Sequence, residues 1–375
     1  MLQYYKQLDG IRGLAVLFVV FSHLFPPCSF RNYIPWGYFG VRLFFVLSGF
    51  LITGILLNAT NSSFPRTSFV MIGIFYLRRS LRIFPLYYLT IILLFAFVRP
   101  RFDCLAALSL LTYTTNWYLC CFGDPAPGAS HLWSLAVEEQ FYLIWPWLVF
   151  FTPRQMLPLI LLAVVLIGPI TRLVLVILHY SVVAITFNTL ACLDSLGIGG
   201  LLAWLWHRND GGRMLKRFEL AAILALFPLA VLGIPHAFIP THYIVLFTIQ
   251  DLLWACVSFL IVSNASRGIP GKFGLLLSNG PLAYCGKISY GIYIIHPFTP
   301  YISPFIFSAI GANYPESEMV RFAVMVVISL LIASMSYYLF ENPINRINQY
   351  FPYEKKTNYD GYPEAVVLSD IKPRK

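Results

Sequence analysis

Residues 41–58 read VRLFFVLSGFLITGILLN. One charge stands among these eighteen positions, and no proline interrupts them. A surface helix of a soluble protein carries one apolar stripe and one polar face. This run is apolar on every face, as hydrocarbon demands of a helix that satisfies its own backbone. At 1.5 Å per residue, about 20 such residues cross a core about 30 Å thick. Comparable runs recur near 11–27, 83–98, 104–122, 132–151, 157–178, 190–206, 219–237, 242–262, 288–310 and 321–340.

The whole chain agrees with that stretch. Of its 375 residues, 58% are hydrophobic and 11% charged, with mean hydropathy +0.72. A soluble domain is nearer a quarter charged. The composition excludes a soluble enzyme and a disordered chain, and runs this long exclude an outer-membrane barrel. The expected fold is all-α, a polytopic transmembrane helical bundle. Residues 1–345 are read as one transmembrane domain and 346–375 as a loose, polar cytoplasmic tail. No cleavable signal and no sizeable soluble domain are expected. The net charge of +10 does not point to nucleic acid, because the basic residues sit in short loops between apolar runs. Seven cysteines show no metal-ligand spacing, and no metal is expected.

Loop charge sets the orientation. Basic clusters fall at Lys6 and Arg12, at Arg66, Arg78, Arg79 and Arg82, at Arg208 to Arg217, at Arg267, Lys272 and Lys287, and from Arg346 to Lys375. If all eleven runs cross, the later clusters face away from the early ones. If 104–122 does not cross, all lie on one side, leaving Arg31, Arg99, Arg101 and Arg321 outside. Thr112, Thr114, Thr115 and Asn116 make that run the polar one. The expectation is therefore ten spans, one re-entrant or interfacial segment at 104–122, and both termini in the cytoplasm. Cys28, Cys104, Cys120 and Cys121 then lie outside, where the question of a disulfide stays open.

Ionisable groups inside spans are costly and commonly functional. In LDGIRGLAVLFVVFSH, Leu8 to His23, Arg12 and His23 are eleven positions apart. They differ by about 20° around the helix and by about 16 Å along it. A cation near the cytoplasm and an imidazole in the outer half thus share one face, which suits a long donor with an anionic head. An anchoring arginine and an unrelated buried histidine would give the same spacing. In RRSLRIFP, Arg79 and Arg82 are i, i+3 and share a face. They can clamp phosphates, or simply anchor the helix on the basic side. In HLWSLAVEEQFYLIWP, from His131, Ser134 and Glu138 share a face and Glu139 points elsewhere. Glu138 needs a partner there: His23, an arginine, a substrate hydroxyl or a structural hydrogen bond. Arg42, Asp194, His296 and Glu341 are explained as well by packing or capping as by chemistry. No P-loop, zinc motif, GxSxG or Cys/His nucleophile pattern occurs.

Taken together, these stretches resemble the acyltransferase type 3 family of integral membrane proteins. The matching residues are LDGIRGLAV and His23 at 8–23, GVRLFFVLSGFLI at 40–52, RRSLRIFPLYY at 78–88 and HLWSLAVEEQFYLIWP at 131–146. LDSLGIGGLLA at 193–203, ISYGIYIIHPF at 288–298 and YYLFENP at 337–343 follow in the family's order. The resemblance implies a transferase of the bacterial cytoplasmic membrane. It would move an acyl group, often acetyl, from cytoplasmic acyl-CoA to a hydroxyl of a cell-surface polysaccharide or a lipid-linked glycan precursor. No permanently bound cofactor is implied. His23 is then the catalytic base or acyl carrier, and Glu138 the group that orients it. Arg12, Arg79 and Arg82 hold the donor. His131, Trp133, Ser134, Arg42 and His296 line the acceptor side, with Arg42 expected to tune acceptor choice. No SGNH esterase-like domain is expected after the spans, so the membrane domain is expected either to finish the reaction itself or to hand over to a separate periplasmic transfer protein. The competing class is a transporter or flippase of a lipid-linked saccharide, which would use no acyl-CoA.

Overall fold

A computed structural model describes residues 6–27, 35–61, 67–97, 103–208, 212–232 and 243–353. Among the described residues it contains no strand, and the all-α class stands. The chain opens with three long helices, α1 (Lys6–Leu24), α2 (Trp36–Asn61) and α3 (Ser68–Phe97). Two short ones follow, α4 (Cys104–Leu111) and α5 (Thr115–Phe122). Next come α6 (Trp133–Phe151), α7 (Leu157–Ile177), α8 (Val182–Phe187), α9 (Leu193–Trp206), α10 (Arg213–Leu232) and α11 (Tyr243–Arg267). The last third holds α12 (Gly271–Leu277), α13 (Gly280–Lys287), α14 (Ser289–Ile295), α15 (Thr299–Ala309), α16 (Glu318–Ser336) and α17 (Asn342–Asn345).

The stretch 41–58 forms the middle of α2, the most enclosed long helix, with 83% of its apolar window buried. It lies directly against α9. A Cβ on Gly49 would stand 2.0 Å from the Leu196 carbonyl oxygen, and one on Gly199 would stand 2.1 Å from that of Val46. Only hydrogen fits at either place, so two glycines let the backbones touch. One turn further along α2, the Trp145 indole donates to Thr53 Oγ1 at 2.8 Å and ties α6 in.

Five helices among the described residues have the length and hydropathy to cross a bilayer: α1, α2, α3, α7, and α16 with its continuation to Tyr350. A sixth appears if α11 and α12, which meet at 93°, form one broken span. The expectation of ten spans is thus not confirmed by helix length and hydropathy, which give five or six among the described residues. The run 132–151 becomes α6, whose 19 residues include Glu138, Glu139 and Gln140. The run 288–310 breaks into a 3-10 turn at His296–Phe298, where Pro297 interrupts it. The run 104–122 splits into two helices of eight residues, each about 12 Å long and too short to span. Tyr113, with φ 55, makes the reversal between them, and Asp103 caps α4 by accepting from the Ala106 amide at 2.5 Å.

Sharp bends need other donors and acceptors for the backbone they expose. At the α11–α12 bend Gln7 supplies both. Its amide nitrogen donates to the Ile269 carbonyl at 2.9 Å, and its oxygen accepts from the Ile269 N–H at 2.6 Å. Beyond α16 the chain widens into a π-turn at Tyr337–Glu341 and later tightens into a 3-10 turn at Arg346–Tyr350. Arg78 donates to the carbonyls of Asn348 and Phe351 and lies over the Tyr353 ring, so residues up to 353 rest on α3.

Candidate active site

A cavity of about 100 Å³ opens between α1, α2, α3, α6 and α14. Three guanidiniums line it: Arg12 from α1, and Arg79 and Arg82 from α3. The i, i+3 spacing in the sequence delivers both α3 arginines to one face. Arg12 is paired with Asp9 one turn back, at 3.2 Å. Arg79 lies 5.2 Å from the centre of the Tyr142 ring. Among the described residues, neither Arg79 nor Arg82 has a carboxylate partner. The carboxylate that faces them is Glu138, whose Oε1 accepts from Ser48 Oγ at 2.6 Å. The three guanidiniums lie inside a low-dielectric bundle, where an anion reaching them is attracted more strongly than in water.

Ser134 and Tyr293 form one wall, with their oxygens 2.5 Å apart. The single Tyr293 proton goes to the His131 carbonyl at 2.8 Å, so Ser134 is the donor to Tyr293. Behind this wall three histidines gather. His23 Nδ1 lies 2.8 Å from His296 Nε2, and the two rings are nearly parallel. The His131 ring centre is 5.5 Å from that of His296 and 5.5 Å from that of Tyr293. Neither nitrogen of His131 has a hydrogen-bond partner. These three rings are not arranged to share a metal ion. His296 is fully buried, whereas His23, in the last turn of α1, is exposed.

The residues singled out from the sequence thus divide into groups. Arg12, Arg79, Arg82, Ser134 and Glu138 meet at the cavity. His23, His131 and His296 meet behind it, and Tyr293 touches both groups. His23 and Glu138 are not joined: the hydrogen bond of Glu138 runs to Ser48, and His23 contacts His296. Trp133 packs against Phe187 and Phe45. Arg42 lies elsewhere, wholly buried, donating to Asp251 at 2.5 Å and to Tyr38 at 2.6 Å. Asp251 also receives Arg172 at 3.2 Å, and Arg172 reaches Asp194 at 2.6 Å. Sequence reasoning missed Asp251 and Tyr293. Asp251 carried a signal, since it stands alone in the apolar run 242–262. Tyr293 sits in a run of aromatic and aliphatic residues and carried none.

The fold and the site define a helical membrane protein with three arginines lining an interior cavity. The chain belongs to a family of acyltransferase domains, whose model matches residues 5–338. It is similar to the peptidoglycan O-acetyltransferase OatA of Listeria monocytogenes, at 29% identity over 95% of this chain and 58% of that protein. Similarity extends to YrhL of Bacillus subtilis, at 30% identity over 91% of this chain and 55% of that protein. It also extends to the O-acetyltransferase OatA of Staphylococcus aureus, at 27% identity over 92% and 58%. The chain spans a little over half the length of these relatives. No solved structure gives a significant match.

Proposed function

We propose that this protein is an O-acyltransferase of the bacterial cytoplasmic membrane, with both termini on the cytoplasmic side. It moves acetyl from acetyl-CoA to a hydroxyl of a cell-wall glycan. The observation that supports this reading is the interior cavity lined by Arg12, Arg79 and Arg82, with Glu138 among its other lining residues. The CoA phosphates bind these guanidiniums by charge-assisted pairs. Glu138, held by Ser48, receives the amide N–H groups of the pantetheine arm. The thioester then extends along α1 past Tyr293 toward His23, about 16 Å from Arg12 along the helix.

At His23 the acceptor hydroxyl loses its proton to the imidazole as its oxygen attacks the thioester carbon. The carbon–sulfur bond breaks, and the leaving sulfur takes the proton back, giving the ester and free CoA thiol. A route through an acetyl-imidazole uses the same nitrogen and the same balance. Peptidoglycan is the acceptor that the names of the Listeria and Bacillus relatives favour, and an exposed His23 suits an acceptor too large to enter the bundle.

The test uses purified full-length protein in liposomes with acetyl-labelled acetyl-CoA and glycan fragments. Each phosphate contact is worth about 1.5–3 kcal/mol. Arg79→Ala and Arg82→Ala should each therefore raise KM for acetyl-CoA roughly 10- to 100-fold. Glycan transport without label transfer would support a carrier instead and would overturn the enzymatic reading.

A further inference from the structure

The hydrogen bonds behind Tyr293 fix which nitrogen of His23 can react. His296 Nδ1 lies 3.1 Å from the Ile292 carbonyl, one turn back. A carbonyl only accepts, so Nδ1 of His296 carries the proton. Among the described residues no carboxylate contacts this wholly buried ring, which leaves it a neutral imidazole with a bare Nε2. The bare nitrogen can only accept from its neighbour at 2.8 Å, His23 Nδ1. His23 therefore holds its proton on Nδ1 and its lone pair on Nε2.

We infer that His296 is the positioning residue of the acyl transfer, setting the tautomer and ring orientation of His23. This rests on the proposed catalytic role of His23. The carbonyl that directs His296 belongs to a helix and cannot turn. Pro297 and a 2.7 Å bond from Thr299 Oγ1 to the His296 carbonyl hold the next turn in place. When His23 Nε2 takes the acceptor's proton, Nδ1–H still points at His296 and the bond becomes charge-assisted. The logic is that of a base oriented by a third group, with a neutral ring in place of a carboxylate.

Three variants separate the possibilities, read by kcat and by KM for acetyl-CoA. His296→Leu should lower kcat by about 10²-fold or more with KM within about twofold, since the donor binds elsewhere. His296→Gln should recover most of the turnover, because its amide oxygen reaches the position of Nε2. His296→Asn should not, because its amide ends at the position of Nδ1. Wild-type kcat in a folded His296→Leu protein, with His23→Ala inactive, overturns this inference and leaves the catalytic reading standing. Full activity of His23→Ala overturns both. If His296→Leu does not fold, the amide pair decides: Gln well above Asn supports the inference, and equal turnover overturns it.

Discussion

Arg42 shows what a single residue reveals and conceals. Its charge in an apolar run is explained as well by packing as by chemistry, and only the family resemblance suggests a substrate contact. Its partner, Asp251, lies 209 positions away, and no local pattern links them. Together with Arg172 and Asp194 they make a buried set of two cations and two anions that is neutral overall. Removing one member leaves a charge without a counterion in hydrocarbon, which costs about 3–5 kcal/mol. Asp251→Ala should therefore unfold at markedly lower temperature in detergent, with two guanidiniums losing their shared acceptor. Asp251→Asn, which keeps an acceptor oxygen, should lose less. An unchanged melting temperature for Asp251→Ala would show that the ion set carries no stability. Arg79 and Arg82, by contrast, were legible, because three-residue spacing on a helix fixes a shared face whatever the tertiary fold. Arg12 and His23 were half legible. Spacing gave their stripe and separation, but the ring facing His23 comes from a segment 273 positions away.

Among the elements, the broken hairpin at 104–122 was read from its threonines before its shape was known. Polar side chains in mid-run signal a segment that stops short of crossing. Asp103 holds the two halves together. It accepts from the Ala106 amide and, through its other oxygen, from the Tyr118 hydroxyl at 2.9 Å. Those donors hold its carboxyl below the usual carboxylate range, the Ala106 amide first and Tyr118 second. Because the folded value is the lower one, the stabilisation is present above the unfolded carboxylate pKa and fades as pH falls through the folded value. Protease nicking of the hairpin should rise on acidification in the wild type. In Asp103→Asn it should already be raised at neutral pH and respond less to acid. Identical pH profiles for the two proteins would remove Asp103 from this role. The breaks at Arg267–Gly271 and at His296 were harder to foresee, because the bonds that repair them come from distant residues such as Gln7.

At the scale of the whole molecule, composition decided the class because hydrocarbon permits so few backbones. The number of crossings was less legible, since proline, glycine and central carboxylates cut long runs into pieces that single-helix criteria do not count. Orientation is open to a direct check. Cys121 is exposed at the end of α5 and lies on the outer side if both termini are cytoplasmic. In a variant retaining Cys121 alone, an impermeant maleimide should label intact cells from outside. Labelling only after lysis would invert the assignment. The glycine contact between α2 and α9 has a mechanical consequence. With two backbones in direct touch, Arg42 bound to Asp251 of α11 and Thr53 bound to Trp145 of α6, α2 is the stator of the bundle. The helix opposite in this respect is α3, with only 28% of its apolar window buried, so an outward shift of α3 would give up less packing than one of α2, and its two arginines would travel with it.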